Sequence, residues 1–368
     1  MRSKMGWSLV WGTLLIAGLI SPSRKAHAAN CVLYARAETG VALYGAAGGW
    51  WDEAAVHHGA QGVGLLRTEF LLTGRTSLPT EDEQTEYYRR VGAAFGGQPV
   101  IVRTFDLGGD KFPAAFAAPH EPNPFLGWRS IRVCLDHPEV FVPQLRAVLR
   151  AAADRNISLM LPMIISLEEV AEAKALLADA AAALEADGIR AAPSVPVGIM
   201  IETPAAVVLA EELAHSAAFL SVGSNDLTQY TLAVDRSNAR LAARFNALHP
   251  AMVRQLHQVR SAAARAGIPA SVCGEMASDP IAATLLLGLG YDRLSVAPPA
   301  IPLVKWVVRS IPKSAASAAA ARALQATTAT EVQVALRDVL AEYIDIRLVD
   351  QSGSLPRPSV VASLRRNI

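Results

Sequence analysis

The chain has 368 residues, 52% of them hydrophobic, and a formal charge of +1 with acids and bases interspersed. That apolar share supplies one large core or two ordinary ones and excludes intrinsic disorder, while the lack of a basic excess excludes a nucleic-acid footprint. Cys31, Cys134 and Cys273 stand far apart with no CxxC pair, which argues against a disulfide framework or a zinc site and for a reduced interior.

Residues 1–30 begin with Arg2 and Lys4, continue in an apolar run from Trp7 to Ile20 and reach Ala26-His27-Ala28. This is the pattern of a cleaved secretory leader or of a misplaced start. The run is short for a bilayer crossing, so no stable membrane span is expected. Cysteine usage points to the cytoplasm and the leader-like segment to export; cytoplasmic is the expectation, with export as its alternative.

From Gly40 onward, short apolar runs alternate with longer helical patterns. The runs are Val41–Tyr44, Gly62–Leu66, Val100–Asp106, Leu159–Ile164, Val197–Glu202, Phe219–Val222, Ala270–Cys273 and Leu294–Ala297. Between them Ser166 and Glu169 form a capping box, Gly188 closes that segment, and Thr203-Pro204, His249-Pro250 and Asp279-Pro280 each read as a cap followed by proline in the first turn. Eight strand-helix units over about 260 residues match an α/β TIM (β/α)8 barrel, whose strands are buried on both faces. A doubly wound open sheet is the competitor, but its glycine-rich dinucleotide turn is absent. The barrel is expected over 41–311, followed by C-terminal helices over 312–345 and a flexible tail over 346–368.

A barrel demands that reactive residues sit at the C-terminal ends of strands. Arg67, Arg103 and Asp106, Glu202, Asn225 and Asp226, and Cys273 with Glu275 all fall there. A long excursion, Gly108–Arg132, includes GGDK and NPFLGWRSIR, and insertions on this face usually cover or line a site. Asn225 and Asp226 either turn the chain and cap the next helix or present an amide and a carboxylate to a ligand. One arginine at a strand end could pair with an acid; Arg67, Arg103 and Arg236 together suit a phosphate. Glu202 beside Asp226 offers a Mg2+ site completed by a substrate's own oxygens, or else Glu202 merely sits beside a helix N-terminus. Cys273 is either an inert small hydrophobe or a thiol that exchanges a proton during enol chemistry. His249 reads as structural.

GVGLLRTEF, IVRTFDLGGDK, NPFLGWRSIR, GIMIETPAA, SVGSNDLTQYTLAVDR, HPA, VCGEMASDP and LLLGLG occur in this order. Together they resemble the C-terminal domain of the enzyme I family, the phosphoenolpyruvate-protein phosphotransferases of the bacterial sugar phosphotransferase system. Pyruvate phosphate dikinase and phosphoenolpyruvate synthase are more distant relatives. The resemblance implies a barrel that binds phosphoenolpyruvate with Mg2+ and releases pyruvate. It implies that Arg67, Arg103, Arg236 and Arg129 hold the substrate, that Asn225 contacts it, that Glu202 and Asp226 ligate Mg2+, and that Cys273 protonates the enolpyruvate carbon. A homodimer is implied as well.

Two departures bear on function. None of the eight histidines lies in the Thr-Ser-His context of the family's phosphoryl acceptor, so that domain is expected to be lacking and a histidine phosphocarrier domain would act in trans. Near Tyr44–Gly48 the chain reads GAAG where relatives carry asparagine. The expectation is a phosphotransferase barrel; the alternatives are a phosphoenolpyruvate-binding or dimerising module without turnover, or a fragment of a synthase- or dikinase-like enzyme.

Overall fold

A computed structural model describes residues 32–36, 42–44, 58–72, 75, 77–108 and 121–350. The leader-like segment, the GAAG stretch, GGDK beyond Gly108 and the tail after Asp350 lie outside the described residues.

Nine strands close a barrel: β1 Val32–Arg36, β2 Ala42–Tyr44, β3 Val63–Leu66, β4 Val100–Arg103, β5 Ile157–Leu161, β6 Val197–Ile201, β7 Leu220–Gly223, β8 Ala270–Cys273 and β9 Arg293–Ser295. From β3 through β9 and on to β2 every neighbour is parallel. All eight runs read from the sequence are strands of this sheet. The ninth, β1, was not foreseen: it lies antiparallel to both β2 and β3 and closes the ring between them.

The helices around the ring are α1 Glu81–Ala94, α2 Ile131–Asp136, α3 Pro138–Ala152, α4 Leu167–Ala186, α5 Pro204–Val208, α6 Ala210–His215, α7 Ser224–Leu232, α8 Pro250–Ala266, α9 Glu275–Ser278, α10 Pro280–Gly288 and α11 Ile301–Ser310. Then follow α12 Lys313–Gln325, α13 Ala329–Tyr343 and a short α14 Ile346–Asp350, the C-terminal extension. The Ser166–Glu169 capping box opens α4, and Thr203, His249 and Asp279 cap α5, α8 and α10 with proline in the first turn. Thr80 and Glu83 form a further box at α1, which the motif would have revealed.

Four strands end earlier than their apolar runs suggested, β6 by one residue at Ile201, β9 by two at Ser295, and β4 and β5 by three each. β4 stops at Arg103 rather than Asp106 and β5 at Leu161 rather than Ile164. Phe105, Met163 and Ile164 are buried, but in loops folded over the barrel mouth. Burial without a ladder looks like strand in a one-dimensional pattern.

Inside the ring, Leu65, Ile101, Met160, Met200, Phe219 and Cys273 form an apolar cluster separate from the larger one between strands and helices. Strand side chains alternate with period two. The next inward position after Leu65 is therefore Arg67, after Ile101 it is Arg103, and after Met200 it is Glu202. The apolar plug thus sets which residues line the mouth above it.

Candidate functional site

The mouth of the barrel holds an alternating chain of charges. Glu69, on a 3-10 turn just after β3, accepts from Arg103 Nη2 at 2.9 Å and from the Asp106 backbone N–H at 2.8 Å. Arg103 also meets Asp106 at 3.3 Å. Asp106 receives Arg129 on both oxygens, with Nη2 2.9 Å from each and Nε 3.2 Å from Oδ1. Arg129 then reaches Asp226 Oδ2 at 3.6 Å, and Arg236 approaches Asp226 Oδ1 at 3.4 Å. Beneath this chain, buried Gln144 accepts from the Phe105 N–H and donates to Thr68 Oγ1, whose hydroxyl donates to the Arg103 carbonyl. The segment carrying Arg103 to Asp106 is held by these three bonds.

Burial opposes the charge of Arg103, but Glu69 and Asp106 outweigh it and lift its pKa above the ordinary arginine value; Asp106 and Asp226 do the same for Arg129. Arg67 differs. Burial, and next the neighbouring Arg103, lower its pKa, and no carboxylate among the described residues forms an ion pair with it. Its Nε, the Nε of Arg103 and Asp226 Oδ1 are all shielded from solvent and lack a hydrogen-bond partner among the described residues. Buried polar atoms of this kind normally have partners. Two cation donors without a hydrogen-bond partner, and a carboxylate oxygen that has, among the described residues, only the ion-pair contact with Arg236 at 3.4 Å, suit an anionic ligand accompanied by a cation.

Glu202 is buried at the end of β6, where its Oε1 accepts from the Met163 N–H at 2.7 Å. Burial first and Asp226 second push its pKa up to about 8. Two carboxylates facing each other this way suit a divalent cation that neutralises both. Among the described residues no three His, Cys, Asp or Glu side chains gather as a metal cage. A metal here would take Glu202 and Asp226 and complete its shell with oxygens of substrate or water.

Asn225 Oδ1 accepts from the Glu275 N–H at 3.2 Å, tying the start of α7 to the start of α9. Cys273 is buried at the end of β8, donates to the Val222 carbonyl at 3.3 Å and lies 3.8 Å from Ser221 Oγ. Burial raises its thiol pKa to about 11. Gly274 follows with φ 96°, and a Cβ there would lie 2.5 Å from Ser224 Oγ. Gly223 is needed for a different reason: its Cβ would press on Glu202, 2.6 Å from Oε2.

Arg67, Arg103, Arg129, Glu202, Asp226 and Cys273 thus converge on one mouth. Arg236 belongs to its rim, with a side chain 35% exposed. Sequence reasoning missed Glu69 and Tyr230. Tyr230 donates to the Phe125 carbonyl and accepts from Arg129 Nη1 at 3.3 Å. It lies four residues after Asp226 on α7, a spacing that puts both on one helix face and could have revealed it.

Residues 50–313 match the family described as PEP-utilising enzyme, PEP-binding domain. The phosphoenolpyruvate-protein phosphotransferase of Haemophilus influenzae is 43% identical over 290 residues, 79% of this chain and 50% of that protein. The protein of the same name from Staphylococcus carnosus is 43% identical over 288 residues, 78% of this chain and 50% of its own length. The multiphosphoryl transfer protein of Xanthomonas campestris pv. campestris is 47% identical over 280 residues, 76% of this chain and 33% of that protein. The chain therefore spans half or less of these curated relatives.

Proposed function

The chain belongs to the PEP-utilising enzymes through their PEP-binding domain, and from that premise we propose that its barrel mouth binds phosphoenolpyruvate and carries it to pyruvate as the phosphoryl group passes to a histidine. The observation that carries this reading is the set of buried polar atoms without a hydrogen-bond partner among the described residues: Arg67 Nε, Arg103 Nε and Asp226 Oδ1. Phosphoenolpyruvate bears a carboxylate and a phosphate, and guanidinium forks match both.

Arg67, Arg103, Arg129 and Arg236 bind the anion and stabilise charge on the phosphoryl group as its bond to the enol oxygen breaks. Asn225 contacts the substrate from the start of α7. Mg2+, when bound, is held by Glu202 and Asp226 and supplies charge compensation for the substrate's oxygens. As the P–O bond breaks, the enol oxygen keeps the electron pair and the phosphoryl group forms a bond to the histidine nitrogen. The enol then becomes a carbonyl as its terminal carbon takes the proton from Cys273 Sγ, leaving a thiolate. A thiol pKa near 11 keeps that proton in place at neutral pH. We take the acceptor to be the histidine of a phosphocarrier domain; none of the eight histidines in this sequence has the Thr-Ser-His setting.

No helix among the described residues is long and apolar enough to cross a membrane, and we propose a cytoplasmic location, where phosphoenolpyruvate is available. A homodimer is the assembly implied by the family, and sedimentation of the intact chain reads it directly.

The enol step can be tested without any acceptor. In D2O with Mg2+ and pyruvate, the wild-type chain is expected to exchange the methyl protons, followed by NMR, whereas Cys273→Ala is not. Equal exchange by both would remove the thiol from the reaction.

A further inference from the structure

The Phe125 ring sits between two of the proposed ligand arginines. The Arg129 and Arg236 guanidinium carbons each lie 5.8 Å from its centroid. The two cations come from different parts of the chain. Arg129 belongs to the segment leading into α2, and Arg236 follows α7 in a stretch without regular structure. The same two cations share Asp226, one on each oxygen. Phe125 is pinned in turn, because Tyr230 of α7 donates its hydroxyl to the Phe125 carbonyl while accepting from Arg129.

We propose that Phe125 and Tyr230 are positioning residues, a clamp that sets the spacing of Arg129 and Arg236 so that both reach one anionic group of the ligand. This rests on the binding function proposed above. Two guanidinium groups close together repel each other, and Arg236 is a long, partly exposed side chain with many rotamers. A ring face attracts each cation within about 6 Å, so one aromatic side chain restrains both. The tyrosine hydroxyl fixes the height of that ring relative to α7, which also carries Asn225 and Asp226. The clamp thus couples the segment that bears Arg129 to the helix that bears the proposed metal and substrate residues. Nothing in a sequence reading of NPFLGWR singles out its phenylalanine for this.

A ligand-free measurement tests the clamp on the intact chain. Phenylglyoxal labelling of Arg236, read by peptide mass spectrometry, is expected to become several-fold faster in Phe125→Leu. In Phe125→Trp, where a ring face remains, it is expected to stay near the wild-type rate. Phosphoenolpyruvate titration with Mg2+ then supplies a double-mutant cycle. Phe125→Leu is expected to weaken binding about five-fold in the wild-type background and hardly at all in Arg236→Ala. Tyr230→Phe is expected to follow Phe125→Leu in direction, with the fold preserved as judged by circular dichroism. An unchanged labelling rate in Phe125→Leu, or a cycle in which Phe125 and Arg236 act independently, would overturn the clamp. If the folded wild type fails to bind phosphoenolpyruvate, the binding function falls, and the labelling rates alone still decide whether Phe125 orders Arg236.

Discussion

Glu202 just after β6 and Asp226 in the first turn of α7, beyond the adjacent β7, carry like charges; burial first and Asp226 second raise the Glu202 pKa. Replacing that carboxyl by an amide of the same shape keeps an oxygen for the Met163 N–H and removes the repulsion. Glu202→Gln is therefore expected to raise the thermal midpoint by roughly 2–4 °C while abolishing Mg2+-dependent ligand binding; differential scanning calorimetry beside titration reads both. A lowered midpoint together with retained binding would contradict the metal assignment. Cys273 gives the pH prediction. Its thiol pKa is raised to about 11, so the folded state holds the proton more tightly than the unfolded chain does. That contribution to stability is complete below the unfolded thiol pKa and is lost as pH rises through the folded value. Alkylation by iodoacetamide, which needs the thiolate, is expected to be very slow near neutrality and to climb about tenfold per pH unit towards pH 11. A rate that levels off near pH 8 would mean an exposed, ordinary thiol.

The elements that carry the site are joined by tight backbone turns. Gly274 connects β8 to α9 with φ 96° and no space for a Cβ beside Ser224 and Asn225. Gly274→Ala is expected to cost about 1–3 kcal/mol of stability and to disturb Asn225, seen as a lower urea midpoint and weaker ligand binding. Ala233 is the opposite case. It ends α7 in the left-handed conformation, φ 51° and ψ 43°, where glycine is favoured. Ala233→Gly is expected to stabilise the chain by about 1 kcal/mol, measured by the same urea titration. Ser130 and Met163 are the other non-glycine residues with positive φ among the described residues, and each adjoins a site group, Arg129 and Glu202 respectively. At this scale the sequence was most legible. Buried parallel strands are unbroken apolar runs, and capping boxes and proline turns mark where helices begin. Strand ends were less legible, since Phe105 and Met163 bury themselves without joining a ladder. Arg67 and Arg103 could be foreseen because each continues the inward parity of an apolar strand. The pairing of Arg129 with Asp106 could not, because the two residues lie 23 apart in a stretch of sequence with no periodicity.

Across the whole molecule, the barrel closes only through β1, whose backbone pairs with both β2 and β3. VLYAR is a short, isolated run beside a leader-like segment, so no strand-helix alternation announced it. A chain begun at Val41 loses both antiparallel ladders and is expected to melt several degrees below one that retains residues 32–36, by circular dichroism; equal midpoints would show that β1 adds nothing to closure. The ring in turn supports the central claim, that strand ends gather the arginines, carboxylates and thiol into one phosphoenolpyruvate site. The most direct test is calorimetric titration of the intact chain with phosphoenolpyruvate, with and without Mg2+, alongside Arg67→Met and Glu202→Gln. Arg67 forms no ion pair with a described residue, so Arg67→Met leaves no described carboxylate stranded. Binding that requires Mg2+ and disappears in both folded variants is the predicted result. A folded wild type that gives no heat, or undiminished binding by both variants, would contradict it.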